Sequence, residues 1–573
     1  MRSNTILIMR QTQSILRKMI KPAGEITGYT IILLLLNILP SAAQLPRWEW
    51  AQRYGGAGGI KKGYSIVQDK NNNLYVAGSF YDNLKIENTT ITAVEDQDIF
   101  IAKFDETGSL IWIRQAGGPM QDGAMSVTIQ DDFIYVAGHF DLEVTFEDVH
   151  LEIGHTLGIF LAKYDLNGNL IWVHYEGPGG SGACITGLNI TGDNTTHLYI
   201  TGCFCDTIYN NLIPEGYDDA FVAKYDTSGN LIWARQAGGS SFEGGKSVAV
   251  DNNSNVYNTG VFKGTVTFKD TTSSQITLIS YGDQDIYISK YDSSGNIIWV
   301  KQAGGNLWDY GNSIATDKND NVYVTGSFYE SAVFEDTTLT SRGERDMFVL
   351  KLDSAGNRMW LKQLGSSGKD LGRFLYTDNN DNFYLVGNFQ ETISIGDTSL
   401  TSNSTYEFAT NVFIAKFKIT GEFVWAKKIG SYWDMVEGLT SDDNGNVYIT
   451  GSVYYTTVYL DGIILPPVGG ADFFLAKITE NPVAVEETQD DALFKLFPNP
   501  SNGIVNIQVK MKKKDDLILE IHSITGKLIF KKQLSNNGLE FMEELGLNDF
   551  PRGLYFVNIK GGDLFKTEKL IIY

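Results

Sequence analysis

The sequence predicts an all-β fold, a seven-bladed β-propeller followed by a small immunoglobulin-like β-sandwich, and three recurring marks carry this prediction. A Trp ahead of a Gly-rich step returns every 60 to 66 residues, at Trp50, Trp112, Trp172, Trp233, Trp299, Trp360 and Trp425. A Tyr-x-x-Gly step recurs at Tyr75, Tyr135, Tyr199, Tyr257, Tyr323, Tyr384 and Tyr448. An aromatic-x-x-Lys step ends at Lys103, Lys163, Lys224, Lys290, Lys351, Lys416 and Lys477. Each mark occurs once in every repeat, so the chain contains seven structural repeats.

One repeat can be divided into four strands, which is the content of a propeller blade. In the fourth repeat we expect strands at 247–251, 255–262, 285–291 and 296–302, with an extra hairpin over 265–279. The last two strands are joined by Asp292-Ser-Ser-Gly295, a turn with a side-chain acceptor and a residue that tolerates positive φ. The seventh repeat stops near residue 480 without its own Trp strand, so the N-terminal strand 47–56 is expected to complete that blade and close the ring.

The N-terminus has the features of a signal peptide. Basic residues precede an apolar run at 30–39 and a small-residue step, which predicts cleavage between Ala43 and Gln44. The apolar run is about half the roughly 20 residues that a spanning helix needs. We therefore predict a signal peptide at 1–43 and no transmembrane segment in the mature chain.

Charge and cysteine content narrow the function classes. The net charge of −22 disfavours a nucleic-acid partner, because the field would repel a polyphosphate surface. Three cysteines, Cys184, Cys203 and Cys205, fall in one repeat, so no disulfide framework holds the fold. A local bridge from Cys184 to either of the others stays open.

The repeat marks Trp-x-x-Gln-x-Gly-Gly, Asp-x-x-x-Asn-x-Tyr-x-x-Gly and Phe-x-x-Lys-x-Asp-x-x-Gly resemble the seven-bladed β-propeller repeat family of secreted bacterial proteins. The resemblance covers about residues 47–480, within a predicted propeller domain of 44–480. It implies fold and secretion but no single activity. An acidic linker at 481–493 follows.

The last 80 residues, 494–573, form a second predicted domain with alternating apolar residues and turn signals, which is typical of a small antiparallel β-sandwich. Its motifs resemble the type A sorting domain of the type IX secretion system of Bacteroidetes. The residues that carry this resemblance are Pro498, Asn499, Pro500, Gly503, Gly526, Gly553, Tyr555 and Lys569. The resemblance implies recognition by the type IX secretion machinery and an extracellular or outer cell-surface location.

No enzyme motif emerges from the sequence. The six histidines follow no pattern, and the chain has no G-x-S-x-G, H-E-x-x-H or G-x-x-x-x-G-K motif. One Trp per repeat is expected to be inter-blade core, but Trp308 and Trp433 fall outside that position. Asn-rich turns such as 317–321 imitate the start of a calcium loop, although a plain turn also explains them.

A recurring acid is the candidate binding feature. It lies four residues before the predicted start of each inner strand, as Asp122, Glu243, Asp309, Asp370 and Asp434, with Lys61 at that position in the first repeat. These carboxylates are expected around one mouth of the central channel, beside Trp308 and Trp433, as a site for a cation, a cationic ligand or a sugar. The alternative is that each acid fastens its own loop.

We therefore predict a secreted, non-enzymatic propeller that binds a glycan or protein ligand. No cofactor is required by any motif, and calcium is the candidate cation. An extracellular polysaccharide-degrading enzyme is the alternative, and it would need two carboxylates roughly 5 to 10 Å apart in a cleft. A structural or adhesive role without a discrete site is a third.

Overall fold

The computed structural model describes residues 46–480 apart from 57, 178–185, 194, 210–211, 271–273, 403–409, 431–434, 455–456 and 461, and residues 493–572 apart from 498, 500, 502, 511–515, 524–526, 535–539 and 562–563. The chain divides into two compact units, Met1–Asn481 and Pro482–Tyr573. The predicted signal peptide with its cleavage site at Ala43 and Gln44, the linker residues 481–492 and Cys184 lie outside the described residues.

The strands of the first unit run in chain order as β1 Arg47–Tyr54, β2 Lys61–Gln68, β3 Leu74–Ile86, β4 Thr89–Phe104, β5 Leu110–Gly117, β6 Gly123–Gln130, β7 Phe133–Phe146, β8 Val149–Asp165, β9 Leu170–Glu176, β10 Thr186–Gly192, β11 His197–Phe204, β12 Asp219–Asp226, β13 Leu231–Gly239, β14 Glu243–Val250, β15 Val256–Lys269, β16 Gln275–Tyr291, β17 Ile297–Gly305, β18 Tyr310–Thr316, β19 Val322–Phe334, β20 Thr337–Leu352, β21 Arg358–Leu364, β22 Leu371–Thr377, β23 Asn382–Phe389, β24 Thr392–Ile395, β25 Thr398–Thr401, β26 Asn411–Lys418, β27 Phe423–Ile429, β28 Met435–Ser441, β29 Val447–Tyr454, β30 Val458–Leu460, β31 Ile463–Leu465 and β32 Ala471–Thr479.

Successive antiparallel groups of four form the blades, from β2–β5 in the first blade to β22, β23, β26 and β27 in the sixth. The seventh blade has the order β28-β29-β32-β1, so its outer strand comes from the N-terminus. The register of β1 on β32 runs from Arg47 opposite Thr479 to Tyr54 opposite Phe473. The predicted ring closure is therefore confirmed.

In the first, second, fourth and fifth blades the extra hairpin prolongs the second and third strands, whereas in the sixth and seventh it forms the separate two-stranded sheets β24-β25 and β30-β31. In the fourth blade, β15 and β16 stay paired through a register shift between Lys263 and Thr265. The prolonged β15 also pairs with β13 of the preceding blade. There a Cβ on Gly239 would lie 2.0 Å from the Thr265 carbonyl oxygen, so this close approach requires the second Gly of the repeat.

A contact that we call the interblade clamp joins each blade to the next. In the first blade, the Lys103 ammonium lies 5.0 Å from the centre of the Tyr75 ring and donates to the Leu166 carbonyl at 3.1 Å. The Trp112 indole N–H donates to the same carbonyl at 3.2 Å. Corresponding ammonium-to-carbonyl bonds are made by Lys163, Lys224, Lys290 and Lys351. The recurring Tyr, Lys and Trp thus act as one unit.

The clamp changes its acceptor at the end of the array. Because β32 is not followed by an outer hairpin, the Glu480 carboxylate takes the place of the turn carbonyl. It accepts from Lys416 Nζ at 2.7 Å and from the Trp425 indole at 2.6 Å. In the closing blade, Lys477 pairs with Glu49 of the same blade at 3.0 Å, and the Trp50 indole donates to the Glu106 carbonyl of the first blade at 3.2 Å. The circle is therefore complete in its contacts as well as in its strands.

The second unit consists of two antiparallel sheets. Its strands are β33 Leu493–Phe497, β34 Ile504–Lys510, β35 Leu517–Ser523, β36 Leu528–Leu534, β37 Glu540–Gly546, β38 Gly553–Gly561 and β39 Leu564–Ile572. One sheet has the order β33-β34-β37 and the other β36-β35-β38-β39. Val505 and Ile507 from one sheet share a buried core with Leu519, Ile521 and Val557 from the other. A small β-sandwich is thus confirmed, and an immunoglobulin-like description is compatible with it.

Across the described residues, no helix has the length and apolar character needed to span a bilayer.

Replacing Arg53 by Leu should destabilise the propeller by about 3 to 5 kcal/mol, because a buried carboxylate would lose its charged partner. Arg53 Nε donates to Asp472 at 2.7 Å, and the side chains are 2% and 0% exposed. Arg53→Gln is the matched control, since a Gln at this repeat position donates to the corresponding Asp in four other blades. Urea unfolding should show a much smaller loss for the Gln variant; equal losses would contradict this account.

Candidate functional site

The innermost strand of each blade carries a β-bulge near its start. The register of β2 on β3 shifts between Gly63 and Ser65, and that of β14 on β15 between Gly245 and Ser247. The same shift occurs in β6, β10, β18, β22 and β28. The Gly of the Tyr-x-x-Gly step permits it, because a Cβ on Gly260 would lie 1.9 Å from the Gly244 carbonyl oxygen. A bulge redirects one side chain out of the regular alternation.

The redirected residues, which we call the bulge residues, differ from blade to blade. They are Tyr64, Met125, Lys246, Asn312, Arg373 and Glu437, all partly buried. In the third blade the shift spans 187–188, and Leu188 there is buried. The repeat thus keeps its strand framework while the residue at the bulge changes from blade to blade.

Hydrogen bonds between inner strands form a ring just beyond the bulges. At five successive junctions, a side-chain oxygen accepts from a backbone N–H of the next inner strand at 3.0 to 3.3 Å. These pairs are Ser65 with Val127, Ser126 with Ile190, Asn189 with Val248, Ser247 with Ile314 and Ser313 with Leu375. Phe374 and Gly438 occupy this position in the sixth and seventh blades, and neither has a side-chain acceptor. The ring is therefore interrupted on one side of the channel.

Two cavities lie along the channel. The larger, of about 540 Å³, is lined by all seven inner strands beyond the ring of hydrogen bonds. The smaller, of about 260 Å³, lies at the interruption and is lined by Asn312, Arg345, Leu371, Arg373, Phe374, Val436 and Glu437. Three of its lining residues are bulge residues, so the varied chemistry and the gap in the ring meet in one place.

The smaller cavity concentrates charge. The Arg345 guanidinium lies between two aromatic rings, 4.5 Å from the Tyr310 centroid and 5.1 Å from the Tyr329 centroid, and its Nε donates to Ser327 at 2.8 Å. Arg373 Nε donates to Asn388 at 2.5 Å. Burial raises the pKa of Glu437, while the charges of Arg373 and Lys62 lower it.

Trp308 lies next to this cluster. Its ring meets Tyr329 edge-on at 6.3 Å, and its side chain is 50% exposed. An aromatic path of Trp308 and Tyr329 therefore leads from solvent to Arg345. The other predicted aromatic, Trp433, lies outside the described residues, as does Asp434.

The predicted mouth carboxylates directly adjoin the inner strands. Asp122, Asp309 and Asp370 immediately precede β6, β18 and β22, and Glu243 begins β14. The inner strands therefore start about four residues earlier than the sequence predicted. All four acids are fully buried.

Two of these acids, Asp309 and Asp370, fasten the loops that enter the channel. Asp309 Oδ2 accepts from the Gly305 N–H at 2.6 Å, and its Oδ1 accepts from the Tyr329 N–H at 3.2 Å. Asp370 Oδ2 accepts from the Ser366 N–H and hydroxyl at 2.6 and 2.8 Å. The loop-fastening alternative describes these contacts, and a ligand-binding role for Asp122, Glu243, Asp309 and Asp370 stays a prediction.

A second series of buried acids was missed. In five blades the third strand carries another acid near the start of its pairing with the second strand. These fully buried acids are Asp98, Asp219, Asp285, Asp346 and Asp472. The signal was available, since each lies five residues before a recurring Lys. Asp285 accepts from the Gln302 amide at 2.6 Å. Its charge also raises the pKa of Asp309, which shows that the two series interact.

Burial raises the pKa values of all four predicted mouth carboxylates. The pKa rises to about 8 for Asp122, about 8 for Glu243, about 7 for Asp309 and about 6 for Asp370. Desolvation is the main cause in each, while backbone N–H groups oppose it. A fraction of these four carboxyl groups is therefore protonated in the folded protein near neutral pH.

The Asn-rich turns have their acceptors occupied. Asp317 Oδ1 accepts from the Asn319 and Asn321 N–H groups at 2.9 and 3.0 Å, and its Oδ2 from the Tyr323 hydroxyl at 3.0 Å. These contacts are those of a plain turn. In the described part of the chain no cluster of three or more His, Cys, Asp or Glu could hold a metal ion. Calcium binding stays a prediction.

The sorting motif residues of the second unit tie its ends together. Asn499 donates to the Lys569 carbonyl at 2.5 Å and accepts from the Ile571 N–H at 3.0 Å. The Tyr555 hydroxyl donates to the Pro551 carbonyl at 2.6 Å. Gly503 has φ of +112°, which favours Gly, and Gly553 begins β38. Pro498, Pro500 and Gly526 lie outside the described residues.

Two protein families match parts of the chain. Residues 495–573 match the secretion system C-terminal sorting domain, and residues 49–79 and 298–327 match the beta-propeller repeat. An uncharacterized WD repeat-containing protein of Acanthamoeba polyphaga mimivirus is 26% identical over 65% of this chain and 26% of its own length. Regulatory protein FlaEY of Caulobacter vibrioides is 23% identical over 49% of this chain and 30% of its own. The chain thus spans about a quarter to a third of these relatives.

Solved structures are similar to this chain at lower sequence identity than these relatives. YCF48 bound to D1 peptide superposes with a TM-score of 0.34 and 7% identity over 77% of this chain and 99% of that one. A member of the DUF4221 family from Bacteroides vulgatus superposes with a TM-score of 0.28 and 12% identity, over 60% of this chain and 92% of that one.

The free energy of unfolding should fall as pH rises from about 5 to about 8. The raised folded-state pKa values mean that the folded protein binds more protons than the unfolded chain in this window, and stability then decreases with pH. Asp309→Asn cannot titrate and should flatten the slope near pH 7, whereas the exposed Asp148→Asn should not. Urea titrations at several pH values measure this; stability that rises with pH, or an unchanged slope in Asp309→Asn, would refute it.

Proposed function

We propose that this secreted β-propeller protein, whose C-terminal domain is a secretion system sorting domain, acts outside the cell as a non-enzymatic binding protein. Its ligand would enter the central channel and contact the bulge residues. The observation that carries the proposal is the variation of those residues, because one position differs in every described blade while the surrounding repeat is maintained.

A repeat must preserve the residues through which each blade packs on the next. Clamp residues recur because each blade has to pack on the next in the same way. A redirected side chain in the channel is not part of the clamp, so it can adapt to a ligand, even though Asn312 also donates to the Gly372 carbonyl of the next blade at 2.8 Å and Met125 packs on the core. Pockets that bind small ligands commonly combine a rigid wall with a few converging polar groups. Lys246, Asn312, Arg373 and Glu437 supply such groups on a wall of paired strands.

The loop-fastening acids would contribute to ligand binding indirectly, by holding the loops at the channel entrance. Asp309 fixes the loop that carries Trp308, and Asp370 fixes the corresponding loop before β22. We assign them a positioning role for the channel entrance. The buried acid pairs recur in several blades and lie out of contact with solvent, so they support loop geometry better than polysaccharide cleavage.

A thermal-shift screen of the mature protein against glycans, peptides and calcium should identify a ligand that raises the melting temperature. The shift should disappear in a Tyr64→Ala, Lys246→Ala and Glu437→Gln triple variant, because these changes remove two bulge side chains and the charge of a third. Ser441→Ala is the control, since Ser441 lines the larger cavity away from the bulges. A ligand shift that survives the triple variant would contradict the proposed channel site.

Removing residues 494–573 should leave a folded propeller that fails to reach the outside of a cell with a type IX secretion system. The truncated chain keeps Glu480, whose carboxylate completes the clamp between the sixth and seventh blades. Fractionation and limited proteolysis measure location and folding separately. As a control, changing only the linker residues 484–490 to Gly and Ser should leave export intact. Normal extracellular levels of the truncated chain would overturn the assignment.

A further inference from the structure

The cavity beside Arg345 and Arg373 has a charge opposite to that of the whole protein. The chain has a net charge of −22, yet two guanidiniums line a space of about 260 Å³ in which Glu437 is the acidic lining residue. Within the described residues, neither guanidinium has a carboxylate oxygen within 4.0 Å. Their hydrogen bonds go to neutral side chains, from Arg345 to Ser327 and from Arg373 to Asn388.

The two guanidiniums also act on each other. Burial lowers the pKa of Arg345, and the charge of Arg373 lowers it further. Like charges at the edge of one desolvated cavity repel, and an anion placed between them would relieve that repulsion. The planar guanidinium fork matches the geometry of a carboxylate or another oxyanion.

The surroundings favour a ligand that also has a ring and hydroxyl groups. Tyr310 and Tyr329 hold Arg345 in place, and Trp308 continues the aromatic surface toward solvent. Asn312 and Glu437 add an amide and a carboxylate that can bond hydroxyls. Asn312 Nδ2 already donates to the Gly372 carbonyl at 2.8 Å, so its amide oxygen is the atom that would accept from a ligand hydroxyl.

We propose that this cavity binds a small ligand bearing a carboxylate or a related oxyanion, held by Arg345 and Arg373, with its polar remainder against Asn312 and Glu437. The inference rests on the proposed function, since it specifies the chemistry of one part of the channel. An acidic monosaccharide combines the required groups and is the first probe.

Isothermal titration of the mature protein with galacturonate and galactose tests the proposal. Galacturonate should bind, galactose should bind at least about tenfold more weakly, and added salt should weaken galacturonate binding. Arg373→Gln should raise the Kd for galacturonate about tenfold to a hundredfold, because it removes a charge-assisted bond. Arg373→Lys, which keeps the charge but loses the fork, should be intermediate.

Lys318→Gln is the matched control, since it removes one positive charge from an exposed ion pair outside the cavity. Its Kd should equal that of the wild type. Arg345→Gln is the second cavity variant, and its circular dichroism and melting curve show whether it folds. Sulfate and phosphate are titrated separately. If either of them binds and galacturonate does not, the result supports an oxyanion ligand and refutes a carboxylate ligand.

Equal binding of galactose and galacturonate, or wild-type affinity in Arg373→Gln, would overturn the inference. If none of the oxyanions binds but another ligand from the screen depends on the bulge residues, the inference fails and the proposed function stands. If no ligand depends on any bulge residue, both fail.

Discussion

The fold depends on a buried ammonium group that is shared between neighbouring blades. Each recurring Lys lies over the face of its own blade's Tyr, and six of the seven donate to the next blade, as Lys290 does over Tyr257 at 5.0 Å and to Ser354 at 2.7 Å. Desolvation lowers the pKa of Lys290, so the site tolerates the charge only while these partners remain. The Tyr hydroxyl is fixed in turn by the Asp of the preceding turn, at 2.9 Å for Tyr257 and Asp251. Turn, core and interface are thus linked through one side chain.

This linkage explains why the sequence predicted the architecture so well. Tyr, Lys and Trp had to recur together because they form a single clamp, and a seven-fold count of each could only mean seven equivalent interfaces. The closing strand could also be predicted, because the seventh repeat lacked a Trp strand and Arg47–Tyr54 had no blade of its own. Glu480 was not predicted, since its side chain replaces a backbone carbonyl, and no sequence pattern distinguishes that role from an ordinary linker acid.

The candidate site was predicted only in part. Recurrence identified Asp309 and Asp370 correctly as a repeat position, but a pattern of acids does not reveal whether they face solvent or their own loop. The bulge residues were missed for the opposite reason: they do not recur. Arg373 and Glu437 have no counterpart of the same type in other blades, and a single sequence gives no register for a bulge until the strands are paired. Arg345, which comes from a third strand, reaches the same cavity through tertiary packing alone.

The N-terminal position of the closing strand has a consequence for the order of synthesis. Arg47–Tyr54 is among the first propeller residues to be made, whereas its partner Ala471–Thr479 is the last propeller strand. Contacts so distant along the chain are slow to form, because a long loop must close before they contribute. The ring cannot be complete until residue 479 is available, and the sorting domain begins shortly afterwards. A chain truncated before residue 479 during translation would lack the finished ring and the export signal together, so the signal is never made on a chain that cannot close its ring.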